Sequence, residues 1–133
     1  MTREELIAHA FEAMKNAYAP YSKYHVGACV LCRDGNYFYG ANVENASYGL
    51  TNCGERSALF AAYSKGYRKD DIIAIAIVSD GETLAAPCGA CRQVINELMH
   101  RDCPIYLANR HESMTTTIND LLPMAFGHED LHA

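Results

Sequence analysis

No stretch of this chain approaches the about 20 consecutive apolar residues that a membrane-spanning helix requires. The opening Met1-Thr2-Arg3-Glu4-Glu5 carries acidic residues and no apolar run of secretory-leader length. Together these absences predict a cytoplasmic protein with no membrane partner. Positive charge is scarce as well: 11 Lys and Arg stand against 16 Asp and Glu, for a net charge of -5 and a pI near 5.6. Proteins that bind nucleic acid generally need a basic surface to neutralise phosphates, so no nucleic-acid partner is expected and the substrate should be small. Repeats, linkers and low-complexity tracts are also missing. At 133 residues, half of them hydrophobic, the chain can bury one core and has no room for a second, which predicts a single domain over 1–133.

What the chain does have is six cysteines. In a reducing compartment these are ligands or core thiols rather than disulfides. Three fall in two short segments, Cys53-Gly54-Glu55 and Pro87-Cys88-Gly89-Ala90-Cys91. They offer three thiolates for one metal and a carboxylate, Glu55, two residues after the first. Three protein ligands leave the fourth tetrahedral position of a zinc ion open for water, as catalytic sites do, whereas structural sites are closed by four. None of the six His lies at a ligand spacing from these Cys. A redox reading of Cys88-Gly89-Ala90-Cys91 leaves Cys53 and Glu55 unexplained. Cys29, Cys32 and Cys103 read as small core hydrophobes.

The apolar pattern predicts where these motifs sit. Thr2 to Glu5 forms a capping box, and Ile7, Ala10, Phe11, Met14 and Tyr18 recur at helical spacing, predicting a helix over about 3–18 that ends before Pro20. The runs 26–32 and 37–43 flank Asp34-Gly35-Asn36 as an antiparallel hairpin. A helix is expected over 53–65, closed by Gly66, and then a nearly unbroken apolar strand over 72–78 of the kind buried on both faces. The helix 88–99 and the strand 104–108 complete a βαβ unit, so the strands flanking that helix should be parallel. Residues 115–123 hold a short strand or a helical turn.

Both Cys segments therefore open helices, where free N–H groups and the positive dipole end favour thiolate. Cys88 and Cys91, at i and i+3, share one face of a first turn. Three thiolates on a divalent ion leave a net charge of -1, which makes a bound water a poorer acid. A guanidinium donating to a ligand sulfur would offset that charge. Arg56 is the first candidate for this role and Arg92 the second.

A Glu beside one Cys, followed by Pro-Cys-x-x-Cys, resembles the all-Cys variant of the zinc nucleobase deaminase signature. Asn42-Val43-Glu44-Asn45, Cys53-Gly54-Glu55-Arg56-Ser57-Ala58, Pro87-Cys88-Gly89-Ala90-Cys91-Arg92-Gln93 and Leu121-Leu122-Pro123-Met124-Ala125-Phe126 together resemble the small, homotetrameric, zinc-dependent cytidine deaminases of pyrimidine salvage, over nearly the whole chain. The resemblance implies a three-layer α/β/α sandwich with a mixed five-stranded sheet. It implies one Zn²⁺ per chain on Cys53, Cys88 and Cys91, and hydrolysis of cytidine and deoxycytidine to uridine and deoxyuridine plus ammonia. Water activated by zinc would attack C4 while Glu55 shuttles protons to N3 and to the leaving amine. It further implies that Asn42 and Glu44, with Val43 and Ala46 nearby, hold the ribose. Glu44 would accept from the 3′-hydroxyl, so that a polynucleotide is refused. Backbone around Gly54 and Cys88 would read the base edge and Tyr24 would stack on it, at a place where the family usually has Phe. Tyr48 and Phe126 are candidates to complete a neighbouring subunit's pocket. Two rivals stay open at this point: a deaminase of the same fold acting on another aminated heterocycle, and a non-catalytic zinc module that binds a partner.

Overall fold

A computed structural model describes residues 1–131. The first helix, α1 (Arg3–Met14), starts on the expected capping box: Thr2 Oγ1 accepts the Glu5 N–H at 3.1 Å while the Thr2 N–H donates to Glu5 Oε1 at 2.9 Å. It stops four residues earlier than the apolar period predicts. The N–H groups of Lys15, Asn16 and Ala17 tighten onto carbonyls three residues back, and Tyr18 then pairs with another segment instead, donating to Asn42 O at 2.9 Å and accepting from Glu44 N at 2.8 Å. Tyr18 consequently ends 55% exposed rather than on the buried face.

The hairpin forms from β1 (Val26–Cys32) and β2 (Tyr37–Ala41), antiparallel from Gly27↔Ala41 to Leu31↔Tyr37. Gly35 takes the turn at φ 93°, a left-handed conformation that glycine adopts without steric cost. Residues 42 and 43 leave the predicted strand, because Val43 exchanges both backbone bonds with Asn52 instead of continuing along β1. Next come α2 (Gly54–Ser64), β3 (Ile72–Ser79), α3 (Gly89–Leu98) and β4 (Ile105–Ala108). The last predicted stretch resolves into both alternatives: a strand β5 (Ser113–Thr116) and a one-turn helix α4 (Ile118–Leu121).

The sheet runs β2-β1-β3-β4-β5. The β3–β4 pair is parallel, from Ile75↔Ile105 to Val78↔Ala108, as a βαβ crossover requires, and every other pair is antiparallel. One face packs α1, with Leu6 and Ala10 against Cys29, Leu31, Ala74, Ala76 and Val78. The other carries α2, α3 and α4, whose Leu59, Ile95 and Ile118 meet Val30, Ile75, Ile77 and Ile105. The molecule is therefore a mixed five-stranded sheet between two helical layers. Its centre, β1 and β3, is buried on both faces, as their apolar runs predict. Fully burying each Leu or Ile there contributes about 1.5–3 kcal/mol relative to exposure. Cys29 and Cys32 lie in this core, and burial pushes their thiols up to about 12 and about 11. Cys103 packs at its rim. Among the described residues no helix is long and apolar enough to cross a membrane.

Candidate metal centre and active site

Two helix starts converge beside the central strands β1 and β3, whose Val26 and Ile77 line the cavity there. Cys53 is the N-cap of α2 and Cys88 the N-cap of α3; their carbonyls accept the first helical bonds, from Ser57 N at 3.1 Å and Arg92 N at 2.9 Å. Neither thiol caps its own helix, so both stay available to another partner. The close seating of α2 depends on Gly40 in β2. A Cβ there would come within 2.3 Å of both the Gly54 carbonyl oxygen and the Ala58 nitrogen. With no side chain at residue 40, the start of α2 lies directly on the strand and Cys53 reaches the start of α3.

The sulfurs of Cys53, Cys88 and Cys91 lie within 4.8 Å of one another, with Cys53 and Cys88 3.9 Å apart. Thiolates about 2.3 Å from one tetrahedral zinc stand about 3.8 Å apart, so the donor set and its spacing suit that ion. Cys91 is fully buried and Cys88 exposed, which leaves one side of the cluster open. The protonation pattern points the same way. A hydrogen bond from the Cys91 thiol, against the cost of burial and helped by Arg56, holds Cys53 down to about 5. The same bond and burial push Cys91 up. Cys53 therefore forms a thiolate readily, and the thiolate is the form in which a cysteine binds a cation.

Arg56 donates from Nη2 to Cys53 Sγ at 3.3 Å, and its pKa is raised mainly by that bond. Its Nε is buried with no hydrogen-bond partner among the described residues, an arrangement that makes sense for a cation held against negative sulfur rather than for a solvated surface arginine. Arg92 does not reach a sulfur; it donates to the carbonyls of Pro87 and Leu121. Glu55 is 5% exposed and lines the cavity beside Cys53 and Cys88, and burial raises its pKa. Burial disfavours the charged form, so this carboxyl holds a proton more readily than an exposed one.

The cavity has a volume of about 220 Å³. It gathers Tyr24, Asn42, Cys53, Gly54, Glu55 and Cys88 from the residues singled out in the sequence, and adds Val26, Thr51, Asn52, Ile77, Ala85 and Ala86. Thr51-Asn52 and Ala85-Ala86 directly precede the two Cys motifs, and that adjacency was the available signal for them. Val26 and Ile77 carried no sign beyond apolarity. A second cavity of about 340 Å³ shares Thr51 with the first and holds Glu44, Ala46 and Tyr48 together with Tyr21, Ser22 and Asn45.

Asn42 works on both sides. Its Oδ1 accepts the Val26 N–H at 2.9 Å and its Nδ2 donates to the Tyr24 carbonyl at 2.8 Å, which fixes the backbone carrying the Tyr24 ring. One amide hydrogen and one lone pair remain for a ligand. Glu44 accepts from the Tyr21 and Ser22 N–H groups at 3.0 and 3.1 Å and from the Ser22 hydroxyl, and that hydroxyl does most to hold its carboxyl below the usual range. Val43 and Phe126 line neither cavity. Val43 serves through its backbone pairing with Asn52, and Phe126, 57% exposed, is held by its carbonyl, which accepts from Gln93 and Asn96.

Residues 1–107 match the family model described as "Cytidine and deoxycytidylate deaminase zinc-binding region". The chain is 51% identical over 133 residues to a cytidine deaminase of Halalkalibacterium halodurans, covering 99% of both chains. It is 48% identical over 132 residues to one of Sporosarcina psychrophila, covering 98% of this chain and 96% of the relative. Its structure is similar to that of a cytidine deaminase from Burkholderia pseudomallei, with a TM-score of 0.92 at 50% identity, over 95% of this chain and all of the other. Sequence, fold and the three-sulfur cluster agree, and this chain belongs to the cytidine deaminase family of enzymes.

Proposed function

We propose that this enzyme hydrolyses cytidine and deoxycytidine to uridine and deoxyuridine plus ammonia, as a step of pyrimidine salvage in the cytoplasm. Residues 1–133 act as one catalytic domain with one Zn²⁺ on Cys53, Cys88 and Cys91, and the chains assemble as homotetramers with shared sites. The observation that carries the reading is the buried Glu55 carboxyl, in the wall of the same small cavity as two of the three clustered sulfurs. When bound, a zinc ion supplies Lewis acidity that brings the pKa of a water from about 15.7 toward about 7.

The remaining chemistry belongs to the chain. Glu55 takes one proton from the attacking water and delivers it to ring N3 as C4 becomes tetrahedral, then takes the proton of the new C4 hydroxyl and delivers it to the amine, which leaves as ammonia as the C4 carbonyl forms. Burial suits it to this work, because a raised pKa lets the carboxyl keep the proton it takes until it passes it on. Tyr24 stacks on the pyrimidine, and backbone groups at Gly54 and Cys88 read its edge. The ribose extends past Asn42 and Thr51 of the first cavity toward the second, where Glu44, Ala46 and, from a neighbouring chain, Tyr48 and Phe126 hold it; the two cavities together have the size of an ordinary small-molecule site. Glu44, already negative, accepts from a 3′-hydroxyl and repels a 3′-phosphate. Ammonia release from free cytosine, cytidine, deoxycytidine and cytidine 3′-monophosphate tests the assignment. Turnover is expected with the two nucleosides alone, and no ammonia from either would overturn the proposal.

A further inference from the structure

Arg92 lies one residue past Cys91, yet its guanidinium points away from the sulfurs. Its Nε donates at 2.7 Å to the carbonyl of Pro87, and its Nη1 donates at 2.8 Å to the carbonyl of Leu121. The Pro87 carbonyl belongs to the peptide whose nitrogen is that of Cys88, so this first bond fixes the plane from which the Cys88 side chain departs. Pro87 is itself fully buried, which fixes the other side of that peptide. Leu121 is the last residue of α4, where a carbonyl has no further helical donor. Both bonds are charge-assisted and share one rigid planar group, so neither carbonyl can shift without turning the donor away from the other.

The rest of the C-terminal segment is held by different side chains. Arg101 donates to the Leu122 carbonyl at 2.8 Å and to Asn119 Oδ1 at 3.1 Å, while Gln93 and Asn96 donate to the Phe126 carbonyl at 2.8 and 3.2 Å. Among the described residues, Arg92 alone of these donors also holds the turn that carries Cys88.

We propose that Arg92 is a positioning residue that couples the Pro87–Cys88 turn to residues 119–122 at the end of α4, so that ion binding and docking of those residues strengthen each other. A coupling of this kind is reciprocal: if seating the segment improves the ion site, the ion must by the same factor improve the seating. The inference rests on the reading of Cys53, Cys88 and Cys91 as a zinc site.

Its test uses the full chain and two readouts that do not depend on turnover, zinc transfer to a chromogenic chelator and amide hydrogen exchange over 119–126. In the wild type, removing zinc should speed exchange across Leu121 and Leu122. Arg92→Ala should lose zinc to the chelator about tenfold more readily, the lower end of the effect of removing a group that orients a ligand. It should also exchange rapidly at 119–122 with or without zinc, and Arg92→Lys, a point cation that satisfies one carbonyl at a time, should fall between. Gln93→Ala, which loosens Phe126 without touching Pro87 or Leu121, should hold zinc like the wild type. Wild-type exchange that ignores zinc would overturn the coupling, as would Arg92→Ala retaining zinc normally or Gln93→Ala losing it equally. A wild type that takes up no zinc would instead remove the metal reading beneath it.

Discussion

At the scale of single residues, Glu55 and Arg56 carry opposite charges for different purposes. Glu55→Gln keeps the shape of the side chain and cannot move protons. It should retain zinc and lose turnover by at least the about 10²–10⁴-fold typical of general acid–base catalysis. Steady-state rates with cytidine, beside metal content, check this; turnover within a few-fold of wild type would remove Glu55 from the mechanism. The same substitution has a stability consequence. Burial raises the Glu55 pKa above the ordinary value of a glutamate, so the favourable contribution of the protonated group is complete below that ordinary value and is lost as pH rises through the raised one. In metal-stripped protein, Glu55→Gln should therefore gain stability relative to wild type as pH increases from 4 to 8 in urea titrations. A gap that stays constant with pH would contradict the raised pKa. If Arg56 offsets the charge of the proposed three-thiolate site, Arg56→Ala should weaken activity, and Cys53→His, which supplies a neutral ligand, should restore part of it. Rates of the two single variants and the double variant, combined in a cycle, give the coupling; simple additivity would exclude charge compensation.

At the scale of elements, the catalytic geometry depends on where two helices begin, and Gly40 sets one of those starts. Gly40→Ala would drive a methyl against the Gly54 carbonyl and the Ala58 nitrogen, both backbone atoms that cannot rotate aside. Lifting α2 off β2 should cost stability on the scale of core overpacking, about 1–3 kcal/mol. It should also reduce zinc retention, because Cys53 moves with the helix. Thermal melts with metal analysis decide; a variant as stable and as zinc-bound as wild type would show that the contact is not limiting. Nothing in the run Tyr37-Phe38-Tyr39-Gly40-Ala41 marks Gly40 in this way, since a close approach is a property of two elements. What the sequence does make legible is local. The capping box at Thr2, the turn at Gly35, the doubly buried β3 and the two Cys-opened helices each depend on neighbours within a few residues, and each is found where its pattern predicts. The misses are long-range. Tyr18 leaves the helical period because residues 42 and 44 compete for its backbone, and Val43 leaves its strand because Asn52 does the same. The candidate site divides along the same line. Cys53, Cys88, Cys91 and Glu55 announce themselves by spacing, whereas the bridge made by Arg92 and the wall supplied by Ile77 exist only once the sheet has closed.

At the scale of the whole molecule, one chain leaves its second cavity bordered by side chains that a lone domain has no reason to expose. Tyr48, 88% exposed, and Tyr21 line that cavity, Leu50 is exposed next to its Thr51 in the chain, and Phe126 projects from a segment whose backbone is tightly held. Rigid backbone with exposed aromatic side chains is what a surface needs in order to meet a partner at low entropic cost. A second copy supplying Tyr48 or Phe126 to this rim would close the cavity over the sugar and exclude water from the reacting base, strengthening the electrostatics around the developing charge. Ending the chain after Ala125 separates this role from metal binding, because Leu121 and its bond to Arg92 remain while Phe126 is lost. The shortened chain should keep one zinc per chain and show a KM for cytidine raised by about tenfold or more, with a smaller change in kcat, the pattern expected when binding contacts are removed and the reacting groups are spared. Light scattering on the same sample should show a smaller assembly than the full chain forms. A fully active monomer would refute the shared site while leaving the place of the chain among cytidine deaminases untouched, since that place stands on Cys53, Glu55, Cys88 and Cys91 and on the sheet that brings them together.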